Sequence, residues 1–483
     1  MKYLENCQPA EVFEYFEEIC QIPHESGNTA KIAAYLVSFA EKHGLDHYMD
    51  EFNNVIIRKP ASAGYEGAAP VILQGHSDMV CQKREDVRID FAQDPIVPVV
   101  DGDFIRTDGT TLGADNGIAI AMTLAILADD SLAHPPIEAV FTTDEETGMD
   151  GAHGLDMRQL KGRRLINIDS EEEGVIMCGC SGATKIHGTL SVRREKVKAV
   201  PVTISISGLK GGHSGMEIDK GRANANNMMG RILYRLVNDV EARIAELEGG
   251  SKETAITLAA HAVVAVADYQ VKTVEDIVAE LRDGLYAEYQ GTEPDINITA
   301  EGGEETFVNA VNIYDSKRIA DVLAATPYGV QAMSPDLEGL VQTSTNIGIV
   351  KLDEDSCGFS NSIRSSVESQ LRAIFDKIEA IIKLADGTVV EDGTYPGWKY
   401  NPDSALKDIV NAAWTELTGE PAEVAAIHAG LECGIFKSKC PDLDCVSIGP
   451  NMYDVHTPNE HLSISSTERA FTFVKNILAA MTE

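Results

Sequence analysis

Short apolar runs in this chain repeatedly end on a histidine or an acid, and that pattern restricts the folds open to it. Val71-Ile72-Leu73 leads into Gly75-His76-Ser77-Asp78, Ala139-Val140-Phe141 into Asp144-Glu145-Glu146, and Leu165-Ile166-Asn167-Ile168 into Asp169. A further acid, Asp115, lies in the polar, Gly-rich turn Thr110–Gly117, just before an apolar segment that reaches Ala128. Compact apolar runs separated by helical segments predict a largely parallel sheet covered on both faces. In such sheets the carboxyl ends of the strands share one edge, and ligands bind there.

Helical spacing supports this reading. Val12, Phe13, Phe16 and Ile19 form one stripe over Pro9–Gln21, and Ile32, Tyr35, Leu36 and Phe39 form another that Gly44 terminates. After Gly182 the texture changes. Ala199–Ser207 alternates like a half-exposed strand, Gly208-Leu209-Lys210-Gly211-Gly212 breaks it, and a long helix is predicted from Arg222 to Glu248. Strands near Leu340–Val350 and Gly358–Val367 alternate with helices near Val274–Tyr289 and Ser369–Leu384. The expected organisation is therefore an α/β catalytic domain of residues 1–184 and 397–483, with an α+β domain of residues 185–396 inserted into it. The turn Pro396-Gly397-Trp398 marks the return.

Composition narrows the function classes. At 483 residues the chain is too long for one ordinary core. A net charge of −36 with no basic block would repel a phosphate backbone, so nucleic acid is not an expected partner. No apolar run approaches the roughly 18 residues of a membrane span. The first 20 residues carry acids where a signal peptide needs a basic flank, so a cytoplasmic location is expected. Nine scattered cysteines without C-x-x-C pairs suit reduced buried thiols better than disulfides or a Cys-rich zinc site.

The run-ending residues have ordinary readings when taken singly. A lone His-x-Asp is more often a buried histidine with a chance neighbour, Asp115 is a reasonable helix N-cap, and Asp144-Glu145-Glu146 reads as a solvated acidic loop. Together at strand ends they are a ligand set. Asp78, two residues from His76 on an extended segment, can orient its ring. Adjacent acids repel unless a cation sits among them, and one of the pair Glu145-Glu146 can bind metal while its neighbour handles protons. A second imidazole returns in His456-Thr457-Pro458-Asn459-Glu460-His461, where either histidine can serve. Two imidazoles and three carboxylates suit two borderline divalent ions sharing one bridging carboxylate.

The motifs GHSDM, TTLGADNGIA, DEETGMDGA, INIDSEEEG, GLKGGHSG, SNSIRSS, IHAGLECG and SIGPN…HTPNE, in that order, resemble the signature of the M20 metallopeptidases, in particular the aminoacyl-histidine (Xaa-His) dipeptidase branch. The similarity runs from Ile22-Pro23-His24 to Glu460. It implies a zinc-peptidase catalytic domain with an inserted lid and dimerisation domain, a homodimer, and hydrolysis of dipeptides by water activated between two zinc ions, with cobalt or manganese as substitutes. It makes Asp115 the bridging ligand, with His76 and Asp169 completing one site and Glu146 and His456 the other. Glu145 becomes the general base and Asp78 the orienter of His76. His213 resembles a histidine that reaches a partner subunit's site to stabilise the oxyanion. Arg364 resembles the arginine that clamps the substrate's carboxylate, while His428 and Glu432 line the pocket. The family's last motif is usually His-Ser-Pro-Asp-Glu; here it is His-Thr-Pro-Asn-Glu followed by His461, and position within the motif favours His456. An N-acyl amino acid deacylase or aminocarboxypeptidase of the same fold, and an inactive metal-stabilised binding protein, are the alternatives.

Overall fold

The computed structural model describes residues 3–482, which form two compact units. The first comprises the chain through Cys180, Trp398–Ala426 and the chain from Leu431; the second comprises Ser181–Gly397 and Ile427–Gly430. No helix among the described residues is long and apolar enough to cross a membrane.

The first unit is built on an eight-stranded sheet. Its order is Asp46–Met49, Val55–Lys59, Ile137–Thr142, Val71–His76, Arg164–Asn167, Asp444–Ser447, Val175–Cys180 and Glu423–Ile427. The four central strands, from Ile137–Thr142 to Asp444–Ser447, are parallel, and antiparallel strands flank them. All six residues of Val71–His76 and of Ile137–Thr142 are buried, which is why these runs read as continuously apolar rather than alternating. Helices Ala10–Cys20 and Ala30–His43 bury the predicted stripes except for Tyr35, which is half-buried, and Gly44 ends the second in the left-handed region at φ 65°.

Register brings the polar ends of these strands level. His76 pairs with Thr142 and Gln74 with Asn167, so continuing the second ladder sets Asp169 beside His76. Helix Ala114–Ala128 is buried nearly all round and lies close over the Val71–His76 strand. A Cβ at Gly75 would come within 2.8 Å of Ala119 Cβ, so glycine permits the close approach that holds Asp115 over the strand end. A separate four-stranded sheet, ordered Met452–Tyr453, His461–Ser463, Phe104–Arg106 and Val99–Asp101, carries the hairpin that contains His456.

The second unit is an antiparallel ten-stranded sheet whose buried face is covered by Ala225–Asp239, Val271–Tyr289, Ile313–Ala325 and Glu368–Leu384. The helix predicted from Arg222 to Glu248 is shorter than expected. It ends at Asp239, Glu241 turns the chain at φ 54°, and Arg243–Gly249 is a strand paired with Ala260–Val266. Ile244 and Leu247 fit helical spacing in sequence, but in the fold they are buried on a strand in the second unit's core, because pairing with a neighbouring strand overrides local propensity. The fold is thus α/β with an α+β insertion.

Where Asp444–Ser447 leaves the first sheet, a Cβ on Gly449 would lie 1.8 Å from the Ser170 carbonyl oxygen, next to Asp169. Backbone cannot yield there as a flexible side chain would. Gly449→Ala is expected to lower unfolding stability by about 2–4 kcal/mol and to weaken metal retention, as measured by chemical denaturation and metal analysis.

Candidate metal centre

Asp115 is the geometric centre of the first unit's polar cluster. Its Oδ1 lies 3.0 Å from His76 Nε2 and its Oδ2 lies 3.0 Å from His456 Nε2. On the His76 side, Asp169 Oδ1 is 3.5 Å from the same imidazole nitrogen. On the His456 side, Glu146 Oε1 is 2.8 Å from Nε2. With that imidazole hydrogen-bonded to Asp115, Glu146 Oε1 is buried without a hydrogen bond of its own. Among the described residues, no lysine or arginine forms an ion pair with Asp115, Glu146 or Asp169.

Such a donor set fits divalent cations. Four ligands held tetrahedrally at about 2.0–2.1 Å from zinc lie about 3.3 Å from one another, and the separations here run from 2.8 to 3.5 Å. Nε2 of each imidazole faces one oxygen of the same carboxylate, as a bridging ligand requires. One ligand atom each from His76, Asp115 and Glu146 falls within 4.8 Å of the others.

Electrostatics point the same way. Burial opposes charge on His76, but Asp169, Asp115 and Asp78 outweigh it and hold the imidazole's pKa well above its ordinary value. The hydrogen bond with Asp115 and the adjacent Glu146 carboxylate raise His456 to about 11. Asp115 shows the converse: burial raises its pKa, but bonds to the two imidazoles pull it below the usual carboxylate range. Burial raises Asp169 and raises Glu145 well above normal, with Asp169, Glu432 and Glu146 adding repulsion at Glu145. A carboxyl group so placed holds a proton more readily than an exposed carboxylate does.

The turn carrying Glu145 and Glu146 is tied to His76 through Asp78. Asp78 Oδ1 accepts the Glu145 N–H at 3.1 Å, and Oδ2 accepts the Ser26 hydroxyl at 2.7 Å and the Glu146 N–H at 3.4 Å. His76 Nδ1 lies 3.0 Å from the Asp78 backbone carbonyl and 3.5 Å from its carboxylate. The backbone oxygen is therefore the closer partner of the ring, while the carboxylate mainly fastens the acidic turn.

Glu460 performs a similar fastening that sequence reading missed. Its Oε2 accepts the N–H groups of Leu112 and Gly113 at 2.7 and 3.1 Å, and its Oε1 those of Ala114 and Asp115 at 2.8 and 3.3 Å. One carboxylate thus satisfies amides at the start of the helix that carries Asp115 and pins them to the His456 hairpin. Its position four residues after His456 was the available signal. His461 is not part of the cluster: its ring stacks on Tyr453 at 5.0 Å and packs edge-on to Phe104.

Beneath the cluster, Glu432 is fully buried. Its Oε2 accepts Gln74 Nε2 at 2.6 Å and the Thr142 hydroxyl at 2.8 Å, while Oε1 has no hydrogen bond. Asn167 extends this network by donating to Gln74 Oε1 at 2.6 Å. Gln74 and Asn167 each stand two residues before His76 and Asp169, so the network forms a polar floor one pleat below them.

His213, Arg364 and His428 come together within the second unit. His213 Nδ1 accepts the N–H groups of Gly215 and Met216 at 3.3 and 3.1 Å, which leaves Nε2 as the protonated nitrogen. Burial and the Arg364 charge lower the pKa of His213, keeping it a neutral donor. Arg364 is 6% exposed and has no carboxylate partner among the described residues; its Nη1 donates to the Tyr395 hydroxyl at 3.0 Å. His428 Nε2 lies 2.7 Å from Ser344 Oγ, and burial beside Arg364 lowers its pKa to about 4.

Comparison with known proteins agrees with this architecture. The model of peptidase family M20/M25/M40 matches residues 72–480, and the chain belongs to that family. It is 36% identical to the cytosol non-specific dipeptidase of Escherichia coli (strain K12), over 99% of both chains. Among solved structures, the aminoacylhistidine dipeptidase from Vibrio alginolyticus is similar at a TM-score of 0.94, with 37% identity over 99% of this chain and 98% of that one. A tripeptidase from Staphylococcus aureus, 17% identical at a TM-score of 0.58 and covering 99% of each chain, shares the fold.

A pH dependence follows from Glu432, which burial raises to about 8. In metal-free protein the folded state then keeps a proton that the unfolded chain releases above roughly pH 4.3. Its contribution to stability is full below that value and is lost as pH rises through 8. Glu432→Gln, which mimics the protonated form, is expected to remove on the order of 3 kcal/mol from the fall in stability between pH 5 and 8.5. Urea denaturation of chelator-treated protein at the two pH values measures this.

Proposed function

We propose that the protein is a two-metal dipeptidase that cleaves Xaa-His and related dipeptides. The observation that carries this reading is the Asp115 carboxylate, with one oxygen 3.0 Å from each of two imidazoles. His76, Asp115 and Asp169 would hold one ion, and Glu146, His456 and the other oxygen of Asp115 the second. Zinc is the proposed metal, with cobalt and manganese as substitutes that the same N and O donors accept. Bound there, two zinc ions would lower the pKa of water from about 15.7 toward roughly 7 and polarise the scissile carbonyl.

Glu145 is the proposed general base. Its raised pKa lets it take the proton of the attacking water and pass it to the leaving amine nitrogen. Asp78 holds the Glu145 amide and the His76 ring, so base and ligand keep a fixed spacing. His213 is the proposed donor to the oxyanion, and its environment supports that role because Nε2–H is the free nitrogen of a neutral ring. Arg364 is the proposed clamp on the substrate's C-terminal carboxylate, since a buried guanidinium without a carboxylate partner is costly until an anion reaches it. His428 and Glu432 belong to the pocket walls in this reading, Glu432 from beneath the metal ligands. Dipeptides are the proposed substrates and the cytoplasm the proposed location, in line with the name of the Escherichia coli relative; a homodimer is the proposed assembly.

Two measurements test this. Glu145→Ala is expected to keep two zinc ions per chain while kcat for alanyl-histidine falls about 10²–10⁴-fold; full activity in that variant sinks the mechanism. A chelator should abolish hydrolysis across a dipeptide panel, with zinc, cobalt or manganese restoring it. Faster turnover of N-acetyl amino acids or tripeptides than of dipeptides would replace this reading with that of a deacylase or aminocarboxypeptidase.

A further inference from the structure

Four neighbouring strands of the second unit set one row of residues across the sheet. Ser344 pairs with Arg364, Arg364 with Ala183, and Ala183 with Tyr395. Directly paired residues on adjacent strands point to the same face. Ala183 is small, so Arg364 reaches across it to place Nη1 3.0 Å from the Tyr395 hydroxyl. Segment Ile427–Gly430 is fixed to this unit by the Ser181 N–H, 3.1 Å from the Ile427 carbonyl and 3.0 Å from that of Ala429. It covers both ends of the row: His428 meets Ser344, and a Cβ at Gly430 would lie 2.8 Å from the Tyr395 ring. Tyr395 is thus wedged against a glycine on one side and bonded to arginine on the other.

A guanidinium offers a carboxylate two forks, Nη1 with Nη2 at its end and Nε with Nη2 along its side. Tyr395 takes one of the two N–H groups of Nη1 and so competes with an anion for the end fork. The side fork is left: Arg364 Nε is buried and makes no hydrogen bond. Space beside it is kept by Gly215, where a Cβ would fall 3.0 Å from Nε. His428 Nδ1 is a second buried nitrogen without a partner in the same unit.

We propose that Tyr395 is a positioning residue for recognition of the substrate's free carboxylate, acting through Arg364. Its hydroxyl turns the guanidinium so that the Nε–Nη2 edge faces the anion and forms two parallel charge-assisted hydrogen bonds. The inference rests on the reading of Arg364 as the carboxylate clamp, and it names what the clamp selects: a planar carboxylate over a neutral C-terminal amide.

The test uses the zinc-loaded, full-length enzyme with alanyl-histidine and alanyl-histidine amide. Tyr395→Phe removes only the hydroxyl. It should raise KM for alanyl-histidine about tenfold, equivalent to about 1.4 kcal/mol, with kcat within about twofold. Its kcat/KM for the amide should stay within about twofold of wild type, a selectivity that general destabilisation would not produce. Gly430→Ala, which presses on the ring from the other side, should give the same carboxylate-selective loss. An unchanged KM in Tyr395→Phe, or equal losses on acid and amide, overturns the proposal while the role of Arg364 stands, provided Arg364→Ala loses the preference for the acid. A wild-type enzyme indifferent to amidation, or inert toward both compounds, overturns the reading of Arg364, and the inference falls with it.

Discussion

Asp115 is largely withdrawn from solvent at the start of a helix with an imidazole 3.0 Å from each of its oxygens, and two further carboxylates, Glu146 and Asp169, stand beside those imidazoles. Three carboxylates withdrawn from water repel one another and lose hydration, a cost of several kcal/mol per uncompensated ion. Protonated imidazoles relieve part of it, which is why His456 is raised to about 11. Two divalent cations held at the proposed sites would relieve more and would turn the cost into binding affinity. Much of the first unit is arranged to keep this charge in place.

Three acids outside the proposed ligand set do the holding. Asp78 ties the acidic turn to the His76 strand, Glu460 ties the Asp115 helix to the His456 hairpin, and Glu432 ties the strand ends to the helix Glu432–Lys439 below. Each joins segments distant in sequence, and apart from the His76 ring beside Asp78 their donors are backbone amides or neutral side chains, not lysine or arginine. That choice keeps competing positive charge away from the centre. A strongly acidic chain, at a net −36, suits this economy of basic groups.

Residues that end apolar runs were legible because strand ends in a parallel sheet share an edge, so His76, Glu145, Glu146 and Asp169 announce themselves without any knowledge of pairing. Asp115 was legible from its helix-start turn, and His456 from the motif around it. The supporting contacts were not. Glu460 reaches amides more than 340 positions away, and no local pattern encodes such a bond. Tyr395 joins Arg364 only through the register of two antiparallel ladders, which periodicity does not reveal. The strand Arg243–Gly249 read as helix because isolated apolar spacing fits either period over so few residues. His213 and Arg364 were found by motif, but their meeting within the second unit came from the fold.

The central claim is that one carboxylate is shared by two metal sites. Metal stoichiometry of the wild type and of Asp115→Ala, determined after equilibrium dialysis against buffered zinc, tests it most directly. The account predicts two zinc ions per chain in the wild type and a loss of affinity at both sites in the variant, because each ion loses a ligand. A wild type that binds one ion or none, or a variant that weakens one site and leaves the other at full affinity, contradicts it.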